Sequence, residues 1–394
     1  MAKEKILKYL LFALFIVFPL GQLSKIPLGI TNLNIYLHDL IIVSFVLVFF
    51  IKQIAEKKQI VTSKLSRIVF FFITVATVSL LINLFQWGIV GGFLGSLYLI
   101  RWVVYFLFYL SLKNFLMSEK ALKSSVKKLM ICSSIMAVAL GIGQYYLYPD
   151  LRFLKYSGWD PHYYRLTSTW LDSGFSGMLY LLFLIFSYEY YRRATLSFRK
   201  IFIPAIIYLA LALTYSRSSY LALLISSIVY SLKEKTIKYF LLVSILLIVT
   251  IGLLPRQSTV STQLEREDTI YARVENWKNS IKITSCSPVI GIGFNNYRLA
   301  INKLKPGDNI SPNSHSASGA DSSLLFVLAT TGILGLVSYL AFIYRSLAQN
   351  SKGALLLAST IALLIHSIFN NSLFYSWIMI WWWVLLALTK KEKT

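Results

Sequence analysis

The chain has 394 residues, of which 57% are hydrophobic and only 14% charged, and a net charge of +23; with a mean hydropathy of +0.65 this excludes an ordinary soluble domain. A nucleic-acid partner would need the basic residues gathered on one soluble face, whereas here they lie between apolar runs. Two cysteines, Cys132 in an apolar run and Cys286 in a polar stretch, exclude a disulfide framework and a four-ligand zinc site.

Apolar runs long enough to cross a bilayer, roughly 17–25 residues each, recur from one end to the other. The first, in "MAKEKILKYLLFALFIVFPLGQLSK", has the basic start of a signal peptide but no clear small-x-small cleavage site, and is expected to remain as a helix. Further runs centre near 45, 77, 101, 137, 180, 208, 224, 246, 333, 361 and 381. They predict an all-α polytopic membrane protein of about 12 transmembrane helices, since hydrocarbon offers no water to satisfy open backbone groups. Residues 201–215 and 219–232 read as two short helices turning at "TYSRSS"; one continuous helix would invert everything downstream.

Starting from the N-terminus, every second connection is rich in Lys and Arg, from "MAKEKILK" to the terminal "KKEKT", and together these segments hold about 25 of the 39 basic residues. The positive-inside bias puts them, and both termini, in the cytoplasm of a multi-pass protein of the cytoplasmic membrane. On the other side lie two long extracytoplasmic loops, 147–170 and, between helices 9 and 10, 255–321. Long structureless loops in compact proteins tend to be functional, so the chemistry is expected there.

Ionisable residues inside a membrane cost roughly 2.5–3.5 kcal/mol on insertion scales and normally have a partner or a job. Arg101 lies near the middle of the fourth run, and Arg217 sits in the extracytoplasmic turn, on the side of both loops. Each has two readings, an interhelical hydrogen bond or a role in binding. Guanidinium groups fork onto phosphate oxygens, and arginines converging from several segments would make a diphosphate pocket. Arg165, Arg256, Arg266, Arg273 and Arg298 are further candidates, although a lone loop arginine is usually a solvated charge. The acid and base candidates on that side are Asp172, Glu265, Glu267, Asp268, Glu275, Asp308 and Asp321, with His162, His315 and His366. His315 stands out, in a polar stretch before a helix where it would titrate near neutral pH. Asp321, ahead of "SSLLFVLATTGILGL", also fits a helix N-cap. Trp170, Trp277 and the loop tyrosines are candidates for stacking on sugar rings. No phosphate-binding glycine loop, HExxH or CxxC motif occurs, and Gly291 and Gly293 in "SPVIGIGFNNY" read as turn glycines.

Four ordered stretches, "RLTSTWLDSGFSGMLYLL", "LALTYSRSSYLALLIS", "ARVENWKNSIKITSCSPVIGIGFNNYR" and "ADSSLLFVLATTGILGLVSYLAFIY", together resemble the O-antigen ligase and polymerase superfamily of bacterial membrane glycosyltransferases. The resemblance covers residues 90–390 and divides the chain into N-terminal transmembrane helices, 1–200, and a ligase-like region, 201–390. It implies transfer of a glycan from a polyprenyl-diphosphate donor to a glycan or lipid-glycan acceptor at the outer face of the membrane, without nucleotide sugar, cofactor or obligatory metal. It further implies that Arg217 and Arg273 hold the diphosphate, with Arg101, Arg165 and Trp277 in the substrate site. One departure stands out: Asp321 and Ser322 occupy the family's His-Asn positions, and His315 lies six residues earlier. The acceptor-activating base is therefore either Asp321 or His315, and polymerase and ligase remain open. The rival readings are a lipid-linked oligosaccharide flippase, opposed by the lack of a clear internal repeat, and a catalytically silent scaffold.

Overall fold

The structure, a computed structural model, describes residues 2–26, 34–62, 64–192, 198–255, 262–264, 268–304, 319–348 and 353–389. Its helices are α1 (Ala2–Val17), α2 (Leu37–Ala55), α3 (Lys64–Ile82), α4 (Leu84–Ser118), α5 (Lys120–Leu147), α6 (Ser173–Tyr191), α7 (Phe198–Ala212), α8 (Arg217–Lys233), α9 (Lys238–Leu253), α10 (Asp268–Cys286), α11 (Tyr297–Leu304), α12 (Ser323–Ala348), α13 (Ala354–His366) and α14 (Ser376–Thr389). Every expected apolar centre falls within one of α1–α9 or α12–α14. Six segments, those of α1 to α5 and α12, are long and apolar enough to cross a membrane, and α9, α13 and α14 are shorter apolar helices. The chain is a multi-pass membrane protein.

The packing core forms around α14, in which every residue from Trp377 to Leu388 is buried. A helix apolar on all sides belongs inside the bundle. Trp383 meets Tyr109 and Phe342 with ring centroids 5.1 and 5.3 Å apart, and Trp381 meets Phe183 at 4.5 Å and Phe18 at 5.9 Å. Trp170 belongs to this core: it is fully buried against Phe18 and Tyr180. Its rings are committed to packing, so the expectation that it stacks on a sugar does not hold.

Successive helices alternate in direction, and tertiary hydrogen bonds fix which ends meet. Thr169, before α6, donates to Pro19 O beyond α1 (2.6 Å); Leu166 N–H donates to Leu213 O beyond α7 (2.9 Å); Ser323 N–H, at the start of α12, donates to Ser367 O beyond α13 (2.9 Å). Ion pairs Lys8–Glu119 (2.8 Å) and Lys52–Glu4 (2.7 Å) and the Arg192–Glu234 pair close the opposite, Lys/Arg-rich end.

The 255–321 connection is not a structureless loop, because it contains α10 and α11. Between them, residues 288–293 dock backbone-to-backbone into a break in α12. Ile292 N–H donates to Ala329 O (3.0 Å) and Ile333 N–H to Pro288 O (2.9 Å). Gly332 makes the break, with φ +67°, and Gly291 (+79°) and Gly293 (+97°) turn the docked segment. A Cβ on Gly332 would lie 2.2 Å from the Val289 carbonyl, and one on Gly291 2.4 Å from backbone atoms of Thr330 and Thr331. Ser79, Asn83 and Trp87 clamp the segment from α3 and α4: Asn83 donates to Gly291 O (3.0 Å) and Trp87 to Ile292 O (2.6 Å). These contacts explain Gly291, Gly293 and Gly332 and hold α10 and α11 against the end of the bundle.

Gly88 in α4 has nearly the same backbone (φ +66°) with nothing around its absent side chain. Gly88→Ala should cost only the conformational strain, about 1–3 kcal/mol, whereas Gly332→Ala adds a clash with fixed backbone. Thermal unfolding in detergent should therefore rank Gly332→Ala well below Gly88→Ala; equal melting would contradict the docking account.

Candidate active site

Arg217 owes its position to the residues just before it. Thr214 Oγ1 donates to Leu211 O (2.7 Å) and closes the last turn of α7, Tyr215 adopts φ +50°, and Ser216 caps α8 by accepting from Ser219 N–H. The chain thus reverses at "TYSR" and Arg217 becomes the first residue of α8. A cation is disfavoured there by the helix dipole, while an anion is favoured. The guanidinium donates to Leu264 O (3.0 Å) and to Thr269 Oγ1, both neutral acceptors. Arg165 braces the same turn, Nε donating to Thr214 O (3.0 Å) and Nη2 to Tyr215 O (3.3 Å).

α10 supplies the second cation. Its positions 273, 276, 277 and 280 are partly or fully buried, whereas 271, 272, 274, 275, 278 and 281 are exposed, which is one face of a helix. Ser280 Oγ lies 2.8 Å from the Tyr297 hydroxyl, Asn276 Oδ1 accepts from Asp321 N–H (2.9 Å), and Trp277 packs on Phe369 with centroids 6.0 Å apart. Arg273 lies on the same face. It acts electrostatically on Arg217, Asp160, Asp321 and His366. Arg217 and Arg273, from separate elements, are thus within electrostatic range of each other, Arg273 of Asp160 and Asp321, and Asp172 of Asp160, Arg165 and Asp321.

The acids take different roles. Asp172 caps α6, accepting from Phe175 N–H at 2.8 Å. Asp321 does not cap α12: that contact falls to Ser322, whose Oγ faces Leu325 N–H at 3.5 Å. The Asp321 carboxyl is left for the site, where burial pushes it up to about 6, opposed by Arg273 and reinforced by Asp160 and Asp172. Asp160, on the exposed rim in "GWDPHYYR", escapes a reading of motifs; its one sequence signal is its place five residues before Arg165. His366, fully buried, has Nδ1 2.6 Å from Ser372 Oγ. His315 lies outside the described residues, as do Arg256, Arg266, Glu265, Glu267 and Asp308. Among the described residues, no group of three or more His, Cys, Asp or Glu is arranged to hold a metal ion.

Arg101 is at the same end of the bundle but in other company. It pairs with Asp39 Oδ2 at 3.1 Å, donates to Asn34 O and lies over the Tyr98 ring at 5.4 Å. Asp39 also accepts from Tyr105 Oη (2.6 Å) and Tyr36 N–H (3.0 Å). This is the interhelical-bond reading of Arg101, with α2 and α4 as the partners. Breaking a buried pair strands the remaining charge, at about 3–5 kcal/mol. Asp39→Asn and Arg101→Met should each destabilise by that order, and the double variant by less than the sum. Additive losses in thermal unfolding would show that the two side chains act independently.

No curated relative matches the chain. A family model described as O-antigen ligase matches residues 202–340, a stretch that runs from α7 into α12 and includes Arg217, Arg273, Trp277 and Asp321 but neither Arg101 nor Arg165. Over this stretch, about a third of the chain, the protein is similar to the O-antigen ligase family, which supports a place in the O-antigen ligase/polymerase superfamily.

Proposed function

We propose that the protein transfers a glycan from a polyprenyl-diphosphate carrier to a sugar hydroxyl at the outer face of the cytoplasmic membrane, with both termini cytoplasmic. The O-antigen ligase domain supports glycan transfer of the ligase or polymerase type in general. The observation that carries the finer reading is that Arg217 and Arg273, from α8 and α10, lie within electrostatic range of one another, with Arg273 also in range of the raised Asp321 carboxyl. Like charges repel, and a diphosphate between them would relieve that repulsion while presenting oxygens to both forks.

In this mechanism the bond between the anomeric carbon and the diphosphate oxygen breaks, and the electron pair stays on the carrier. Arg217 and Arg273 stabilise the charge that develops there, with Arg165 holding the turn beneath them. The acceptor hydroxyl attacks the anomeric carbon from the opposite face, which inverts the linkage, and its proton passes to Asp321 or, in the alternative, to His315. Trp277 offers an aromatic face to a sugar ring.

Arginine's planar fork is not replaced by an ammonium. Arg217→Lys and Arg273→Lys should each lower transfer about 10²–10³-fold in protein that melts like the parent. Incubation of purified protein with a lipid-linked glycan reads this out: longer products mean a polymerase, and capture on a second acceptor means a ligase. A wild type that does neither would refute the proposal in favour of the flippase or scaffold.

A base must be deprotonated to act, so a carboxyl titrating near 6 predicts activity that holds above that pH and falls below it. Among the described residues, the charged and titratable groups that act on Asp321 or are acted on by it are Arg273 from α10, Asp160 from the rim loop, Asp172 from the start of α6 and Tyr297 from α11. We expect kcat/KM to fall about tenfold per pH unit below 6, and Asp321→Asn to abolish both the limb and most activity. If the limb survives in Asp321→Asn and disappears in His315→Asn, His315 is the base.

A further inference from the structure

Behind the arginine pair lies a polar node that the transfer chemistry does not itself use. It is centred on Asn370, just beyond the end of α13. The Asn370 side-chain amide donates to Ser218 Oγ at 3.0 Å and faces His366 Nε2 at 3.4 Å, while the Asn370 backbone carbonyl accepts from Ser323 Oγ at 3.3 Å. Ser323 Oγ also accepts from Leu373 N–H (3.1 Å). His366 is fully buried, with Nδ1 2.6 Å from Ser372 Oγ. With Ser372 on Nδ1 and Asn370 on Nε2, the ring is held in one orientation.

The location of this node matters more than the number of its bonds. Ser218 follows Arg217 directly, and Ser323 stands two residues after Asp321. The third neighbour is the first turn of α6: a Cβ on Gly174 would lie 3.2 Å from Asn370 Oδ1, and Asp172 caps that same turn. One asparagine therefore touches the first turns of the three helices that carry Arg217, Asp321 and Asp172. Buried polar groups that are satisfied on several sides fix relative position well, and misplacement of reacting groups by about 1 Å lowers rates about 10²-fold.

We propose that His366 and Asn370 are positioning residues that hold the diphosphate-binding arginine and the acceptor-activating carboxylate in one register, so that donor grip and proton acceptance depend on the same buried node. The inference rests on the transfer function proposed above. It differs from a packing role because the two arms of the node separate. Ser218→Ala cuts the arm to α8 and should raise KM for the lipid-linked donor about tenfold with little change in kcat. Ser323→Ala cuts the arm to α12 and should lower kcat about tenfold with little change in donor KM. His366→Leu releases Asn370 and should change both, whereas His366→Gln, which keeps a hydrogen-bonding side chain facing Asn370, should restore most of the loss.

The assay is steady-state transfer by the purified full-length protein over a range of donor concentrations, with thermal unfolding measured on the same samples. Should His366→Leu fail to fold, the two serine variants carry the test alone. The proposal is overturned if the serine variants lower the unfolding temperature or the active fraction without splitting KM from kcat, or if His366→Gln behaves like His366→Leu. A wild type unable to transfer any lipid-linked glycan overturns the transfer function itself, a result distinct from active enzyme with an unsplit response.

Discussion

Arg217 and Arg273 are like charges within electrostatic range of one another, and much of that end of the bundle serves to hold them there. Arg217 is fixed by the reversal between α7 and α8, at a helix start where a cation is electrostatically out of place. Arg273 depends on α10, which stays against the bundle because residues 288–293 are docked into the α12 break. The strain and repulsion stored in such an arrangement are typical of a site prepared for a ligand of opposite charge. The lipid-borne diphosphate of the proposed function has that charge.

The same constraint accounts for the division of the carboxyl groups. Asp172 is used up as a cap, and Asp39 is used up on Arg101. Asp321 escapes capping because Ser322 takes that place, and its backbone is held by Asn276, one turn of α10 after Arg273. A group so placed is pushed up to about 6 by burial and lies within electrostatic range of Arg273.

The helices were legible in the sequence because a run of apolar residues needs no partner to be recognised. The turn at "TYSRSS" was legible too, since its hydroxyl side chains cap and close helices locally. Features set by tertiary contact were not. Nothing near Arg101 in sequence announces Asp39, 62 positions away; nothing in "RLTSTWLDSG" says that Trp170 faces Phe18; and whether Asp321 or Ser322 caps α12 depends on where Asn276 holds the backbone. Asp160 joins the site through the path of its loop. Gly291 and Gly293 were visible as turns, but the break at Gly332, inside a run read as helix, and their mutual backbone contact require the fold.

The central claim is that the arginine pair recognises a diphosphate rather than any single negative charge. The direct measurement is equilibrium binding of a polyprenyl diphosphate, compared with the corresponding monophosphate, to the purified protein and to a variant with Arg217→Met and Arg273→Met. The account predicts that the wild type favours the diphosphate by about tenfold or more and that the variant loses this preference. Equal affinity of the wild type for both lipids, or a preference that survives in the variant, would contradict it.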